Sequence, residues 1–524
     1  MSGQRITLWT AVAALAVAGV LPLCLMLVGS FADARNYTET LGSTRTWILF
    51  RNSLVLASLT TIITGVVGVA LGLLLAKTDL PLRGMLAAAF ALPLLFPPYI
   101  LAVGWFEVLG RGGALARWLG SGIGESSSRW LFSLPGVVLV LSTAFLPVVL
   151  LLTIACLRSV SSSLEQAGRL TSGWPAVLRS ITIPLASPGI LLSFVLVFLL
   201  AMGEFGAPAF LRFDAFPVAS FTQFTAFYNF GAATAAALPL LLVAILGLRI
   251  EQRLLQGRSF QFGWGAGQID GGIPLGRLQA PLCVAATLCA LIFVGVPVGA
   301  LLWRGLTPAA LSEAIDRAGA SAIRSISYSA VAATAITVMG FFLAYLIHRR
   351  AIAAWRWADA ATIFLFTLPG TVIGIGIVAL WNRPSTNWIY STPAILVTAY
   401  FAQYVALGTR TILAGFAQAP SDMEEAAEVA GAGWVRRLSQ IMVPLLWSPI
   451  TASWAVAFLF CLRDVSLPLL LAPAGHDTLT ARTMTLMANG SPELIAALCL
   501  LLMSLAVIPL GVAGLGRRIV GRAR

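Results

Sequence analysis

The stretch Glu165-Gln166-Ala167-Gly168-Arg169-Leu170-Thr171-Ser172-Gly173-Trp174, running on to Ile181-Thr182-Ile183-Pro184-Leu185, has a second copy in the same chain: Glu425-Ala426-Ala427, then Gly433-Trp434, then Ile441-Met442-Val443-Pro444-Leu445. The shift of 260 residues also lays Leu178 on Leu438, Glu204 on Asp464 and Pro208 on Pro468. Any two apolar helices share Leu and Val, but this match runs through charged, Gly, Trp and Pro positions, so it marks an internal repeat. Upstream the shift becomes 272, pairing Pro97 with Pro369, and a longer loop at 109–133 absorbs the difference.

With 524 residues, 59% of them hydrophobic and only 10% charged, and a mean hydropathy of +0.92, the chain has too little polar surface to cover a water-soluble globule. Apolar runs of the roughly 20 residues that a helix needs to cross a bilayer recur from end to end, too long and continuous for barrel strands. The expected fold is an all-α membrane protein with about 12 transmembrane helices, at 6–31, 51–76, 84–109, 135–157, 188–209, 232–250, 278–303, 322–347, 358–381, 393–417, 448–471 and 493–515. The first run follows a lone Arg5 without a small-residue cleavage pattern and reads as a retained helix. Six spans per half is an even number, so the halves keep one orientation and form a parallel repeat, 1–250 and 280–524. They are joined by a polar, Gly-rich linker, 251–279, too short to fold as a domain.

With both termini cytoplasmic, 20 Lys/Arg and 9 Asp/Glu fall inside against 13 and 11 outside, and the Arg349/Arg350, Arg436/Arg437 and Arg517/Arg518 clusters are all inside. The net charge of +13 therefore punctuates membrane spans and does not mark a nucleic-acid partner. The six cysteines lie in apolar segments with no C-x-x-C pair, and they imply neither a disulfide framework nor a metal site.

Each copy of the repeated stretch is a cytoplasmic interruption of about 30 residues. Ser162-Ser163-Leu164-Glu165 and Ser421-Asp422-Met423-Glu424 fit a capping box, which predicts a helix start. Gly173 in one copy, and Gly431 with Gly433 in the other, then break the helix. A second amphipathic segment begins at Trp174 and Trp434, and Pro184 and Pro444 mark the return to the membrane. Small residues, Ala167 and Gly168 in one copy and Ala426, Ala427 and Ala430 in the other, leave one face flat enough to enter a groove. Two roles stand open for Glu165 and Glu425: contact with a partner, or a cap or ion pair within the chain.

Glu425-Ala426-Ala427, three residues, Gly431, nine residues and Ile441-Met442-Val443-Pro444 resemble the EAA motif of binding-protein-dependent ABC importer permeases, with Val443 where leucine is usual. The first copy keeps the spacing with Gln166 for alanine, Thr171 at the glycine position and Ile183 for leucine. The resemblance implies the type I ABC importer permease fold and a multi-pass transport subunit of the bacterial inner membrane. It also implies two partners. One is an extracytoplasmic substrate-binding protein. The other is a pair of ABC ATPase subunits, whose clefts receive the loops at Glu165, Gln166, Ala167 and Gly173 and at Glu425, Ala426, Ala427 and Gly431.

A P-loop needs G-x-x-x-x-G-K-[ST], whose amides cradle phosphates, but the only lysine is Lys77, in Ala76-Lys77-Thr78, with no glycine before it. ATP is therefore expected on the partner, and no cofactor on this chain. His348 and His476 form no H-x-x-x-H pair and no G-x-S-x-G is present, which argues against a membrane enzyme. A secondary transporter is the rival class, but it would carry mid-membrane ionisable residues for ion coupling and would need no groove-fitting loops.

Phe96-Pro97-Pro98-Tyr99-Ile100-Leu101-Ala102-Val103-Gly104-Trp105, Glu204-Phe205-Gly206-Ala207-Pro208 and Leu368-Pro369-Gly370-Thr371-Val372-Ile373-Gly374-Ile375-Gly376 are most similar to segments of fused ferric-iron permeases. Thiamine, aminoethylphosphonate and polyamine permeases are also similar. Pro97-Pro98 and Pro369-Gly370 break helices within the membrane, as walls of a pathway or as packing kinks. Glu204 and Asp464, with Tyr99 as a further contact, suit a hard cationic cargo such as ferric iron, the alternative being structural ion pairs with Arg463 or Arg212.

Overall fold

The computed structural model describes residues 2–31, 35–226, 230–255, 272–419 and 422–507. Among these, the regular elements are helices, apart from one isolated bridge between Thr78 and Ile273. The first half contains α1 (Gly3–Val28), α2 (Thr44–Lys77), α3 (Arg83–Leu95) bent against α4 (Pro98–Leu119), α5 (Leu134–Ser159), the short α6 (Ser162–Arg169), α7 (Trp174–Phe210) and α8 (Gly231–Ile250). The second contains α9 (Gly276–Gly305), α10 (Pro308–Arg349), α11 (Trp355–Thr367) bent against α12 (Gly370–Trp381), α13 (Ala394–Phe416), the short α14 (Asp422–Val429), α15 (Trp434–Leu445) bent against α16 (Trp447–Arg463), and α17 (Pro492–Ala506).

Seven of these helices are long and apolar enough to cross a membrane, or ten with each bent pair as one span. α13 and α17 stand where the tenth and twelfth spans are expected. α13 has 23 residues, about 34 Å at helical rise, and is made less apolar by Gln403, Tyr404 and Arg410. Two expected spans are not straight. Those at 84–109 and 358–381 bend by 105° and 113° at Pro97-Pro98 and Pro369, where the ladder loses its N–H donors. The span expected from 322 begins instead at Pro308, because Thr307 accepts the Ala310 amide as a cap and an Arg317–Glu313 pair at 2.9 Å supports the extra turns.

Prolines also shape the helices in a repeated way. Four wide turns closed by i to i+5 bonds each end two residues before a proline: Ala16–Val20 before Pro22, Leu178–Thr182 before Pro184, Leu291–Gly295 before Pro297 and Leu438–Met442 before Pro444. Proline offers no N–H to the carbonyl four residues back, and the turn widens instead. The four fall into two pairs related by the internal repeat, so the backbone geometry repeats along with the sequence.

The halves interlock through their first spans. α1 packs on α12 and α10 of the second half, and α9 packs on α4 of the first. The crossings are close: a Cβ added at Gly104 in α4 would lie 2.6 Å from the Pro297 carbonyl oxygen, and one at Gly376 in α12 would lie 3.3 Å from the Pro22 carbonyl carbon. Gly104 and Gly376 are equivalent in the repeat, and so are Pro297 and Pro22.

Most of the linker (256–271), Ser421 and the Arg517/Arg518 cluster lie outside the described residues. The end of the linker docks on the turn after α2, where Ile273 N–H donates to Lys77 O at 2.8 Å and Leu275 N–H to Asp79 Oδ1 at 3.0 Å.

Candidate functional site

The two repeated loops are clamped to the ends of equivalent helices. In the first, Glu165 on α6 is only 4% exposed, and its Oε1 accepts from Lys77 Nζ at 2.6 Å and from Thr182 Oγ1 at 2.7 Å. Lys77 is the last residue of α2. In the second, Glu424 on α14, also buried, accepts from Arg349 Nη2 at 2.7 Å, Arg349 Nε at 3.0 Å and Tyr345 Oη at 2.8 Å. Arg349 is the last residue of α10, 272 positions after Lys77. Each half thus ties its repeated loop to its second span through one buried acid and one base.

This corrects the expected pairing of Glu165 with Glu425. Glu425 is 62% exposed and reaches Arg349 Nη1 at only 3.3 Å. α14 buries Glu424 in the role of Glu165, so its inward face is offset by one residue. The first capping box is corrected too: α6 starts at Ser162 as expected, but no side chain caps it, because Glu165 turns inward to Lys77.

The same offset governs the outward face. Leu170 is 88% exposed and Val429 89%, and Leu164 and Met423 are also exposed, each six residues before its partner in the chain. Gln166, Ala167, Ala426 and Glu425 share this open surface, and Ala427 is half-buried. Gly168 faces inward, where an added Cβ would meet Ile181 Cδ1 at 2.6 Å. Gly431 makes the expected bend with φ +81°, with nothing within 4 Å of an added Cβ. Gly173 is extended and starts the next short helix rather than ending α6. The bends are held by Arg169 over the Trp174 ring at 4.5 Å and by an ion pair of Arg437 with Glu428.

A second site forms where the bent pairs meet. A cavity of about 110 Å³ is lined by both helix breaks, Pro97-Pro98 and Pro369-Gly370, and by Glu204, Arg463 and Asp464. The carboxylates sit alike in the two halves. Glu204 Oε1 accepts from Gly206 N–H at 2.9 Å and Ala207 N–H at 3.4 Å, while Asp464 Oδ1 accepts from Leu467 N–H at 2.9 Å and Ser466 Oγ at 3.3 Å. Each therefore caps the short turn that follows it while facing the cavity, and Asp464 also accepts from Tyr404 Oη. Arg463 reaches Leu94 O, and Arg212 lines a different cavity. Tyr99 is fully buried behind Gly206 and does not line the cavity, which corrects its expected place. Among the described residues no three His, Cys, Asp or Glu gather as a metal-binding group.

Sequence reasoning missed Lys77, Glu424 and Arg349 as clamp residues, and Gln403, Tyr404 and Arg463 as cavity residues. One signal was present: the sole lysine ends a span on the side of the Glu165 loop. It also missed Arg304, which bridges Glu107 at 3.4 Å and Glu493 at 3.2 Å beside a larger cavity of about 730 Å³ at the opposite end of α5 from the loops.

Comparison with known proteins agrees with this architecture. The family model described as "Binding-protein-dependent transport system inner membrane component" matches residues 336–520. The chain is 26% identical over 448 residues to the "Putative ferric transport system permease protein FbpB 1" of Haemophilus influenzae, covering 81% of this chain and 70% of that protein. It is 24% identical over 472 residues to the "Fe(3+)-transport system permease protein FbpB 2" of the same organism, covering 88% and 89%. The "Molybdenum transport system permease protein ModB" of Escherichia coli K12 is 32% identical over 162 residues, 31% of this chain and 69% of that protein.

Proposed function

The chain belongs to the family of binding-protein-dependent transport system inner membrane components, and we propose that within an ABC import system it is the fused permease that moves ferric iron. As a member of that family it is a multi-pass transport subunit. Residues 1–250 and 280–524 act as the two permease repeats, joined through 251–279, with both termini cytoplasmic. An extracytoplasmic binding protein delivers the cargo to the face away from the loops, and two copies of an ABC ATPase dock on the loops and hydrolyse ATP.

The observation that carries the coupling role is the doubled clamp. α6 and α14 each present an exposed apolar pair to a partner, and each is fastened through a buried acid to the end of α2 or α10. A push on either loop is therefore delivered to a membrane helix. Such a push separates or closes the breaks at Pro97-Pro98 and Pro369-Gly370 and alters the cavity that Glu204 and Asp464 line. Two carboxylates in a cavity favour a hard cation over an anion, and likeness to ferric permeases over four fifths of the chain supports iron.

The test is ATP-driven uptake into proteoliposomes holding the chain and its ATPase, fed by binding protein loaded with ferric iron or with molybdate. Uptake of iron alone supports the assignment. Uptake of molybdate alone overturns it.

A further inference from the structure

The carbonyl of Leu94 lacks the helical partners it would otherwise use. Its donors in a regular or tight turn are the N–H groups of residues 98 and 97, and both are prolines. Arg463 fills the gap from 369 residues away: its Nη1 donates to Leu94 O at 2.5 Å, and its guanidinium lies over the Phe460 ring at 4.4 Å. Leu94 belongs to the first half and Arg463 to the second, so this bond crosses between the halves, and Arg463 lines the cavity that Glu204 and Asp464 share.

The equivalent contact on the other side of the repeat has lost both of its parts. Pro98 corresponds to Gly370, which keeps its N–H, and Arg463 corresponds to Gly203, where an added Cβ would already stand 3.4 Å from Pro369 Cγ. The double proline and the arginine occur together on one side and are absent together on the other.

We propose that Arg463 is the latch of the central cavity: it holds the two halves together through the Leu94 carbonyl freed by Pro97-Pro98 and must let go before the cavity opens. A hydrogen bond from a charged donor is the stronger kind, and a carbonyl whose two helical donors are replaced by prolines has no backbone substitute. Glu204 and Asp464 supply an alternative attraction for the released guanidinium. On the cation reading above, an entering cation competes for those same carboxylates. The latch itself does not depend on the cargo's identity.

The test uses the full-length chain in liposomes that enclose a manganese-sensitive fluorophore. Arg463→Gly removes the donor. Arg463→Met removes the donor while keeping much of the length of the side chain. Both are expected to admit Mn²⁺ about tenfold faster than the parent or more, the scale set by losing one charged hydrogen bond, while Arg463→Lys stays slow. Tight liposomes from both variants, with melting behaviour showing them folded, overturn the latch, and so does a leak through Arg463→Lys as fast as through Arg463→Met. Should Arg463→Gly fail to fold, Arg463→Met against the parent decides alone. Sulfate flux through the same liposomes reads cargo charge separately: a leak that passes sulfate as readily as Mn²⁺ removes the cation reading and leaves the latch standing.

Discussion

Lys77 Nζ lies 2.6 Å from Glu165 Oε1, with both side chains nearly excluded from solvent, and Lys77 is the only lysine in the chain. Removing one partner of a buried pair strands the other charge, at a cost of about 3–5 kcal/mol. Lys77→Met is therefore expected to deplete folded protein from the membrane, and Glu165→Gln to do so less, since an amide still accepts from Thr182. Lys77→Arg should stay near the parent level, because the other half uses Arg349 at this place. Protein abundance and detergent melting temperature read all three; an unchanged melting temperature for Lys77→Met would remove the clamp from the account.

The repeated sequence, the two loops and the helix breaks were legible because charged, Gly, Trp and Pro positions recur at fixed spacing. The register of α14 was not. Glu424 and Glu425 are adjacent and both fit a motif, and only the placement of Arg349 and Tyr345 decides which one turns inward. Tyr99 misled for a similar reason: it follows Pro98 directly, but a helix turns by about 100° per residue, enough to carry a neighbour of a lining residue out of the cavity. The crossing of α1 onto the second half leaves no mark on hydrophobic periodicity, because lipid and a neighbouring helix select the same side chains.

Close packing at that crossing is open to a direct test. Gly104→Leu forces a side chain against the Pro297 backbone and should lower stability by about 1–3 kcal/mol or more. Gly112→Ala, at a site with open space around the added carbon, should not. Equal melting temperatures for both variants would mean that the halves do not interlock there.

The sidedness expected from the charge distribution is open to chemical labelling. In a background with Cys24 replaced by alanine, Ser180→Cys beside the first loop should react with an impermeant thiol reagent only from the cytoplasmic face. Ser126→Cys, in the long loop of the first half, should react only from the opposite face. The reverse pattern would place the loops away from any cytoplasmic ATPase.

One chain is expected to engage two ATPase copies through its two equivalent loops, and the native mass of the complex gently extracted from its own membrane measures this directly. The parent should carry two copies of one ATP-hydrolysing subunit, and Leu170→Asp or Val429→Asp should each leave one, because each places a charge in the exposed apolar pair of a single loop. A chain that is extracted alone, while uptake in the same cells persists without ATP and collapses with the proton gradient, would contradict the account and identify a secondary transporter.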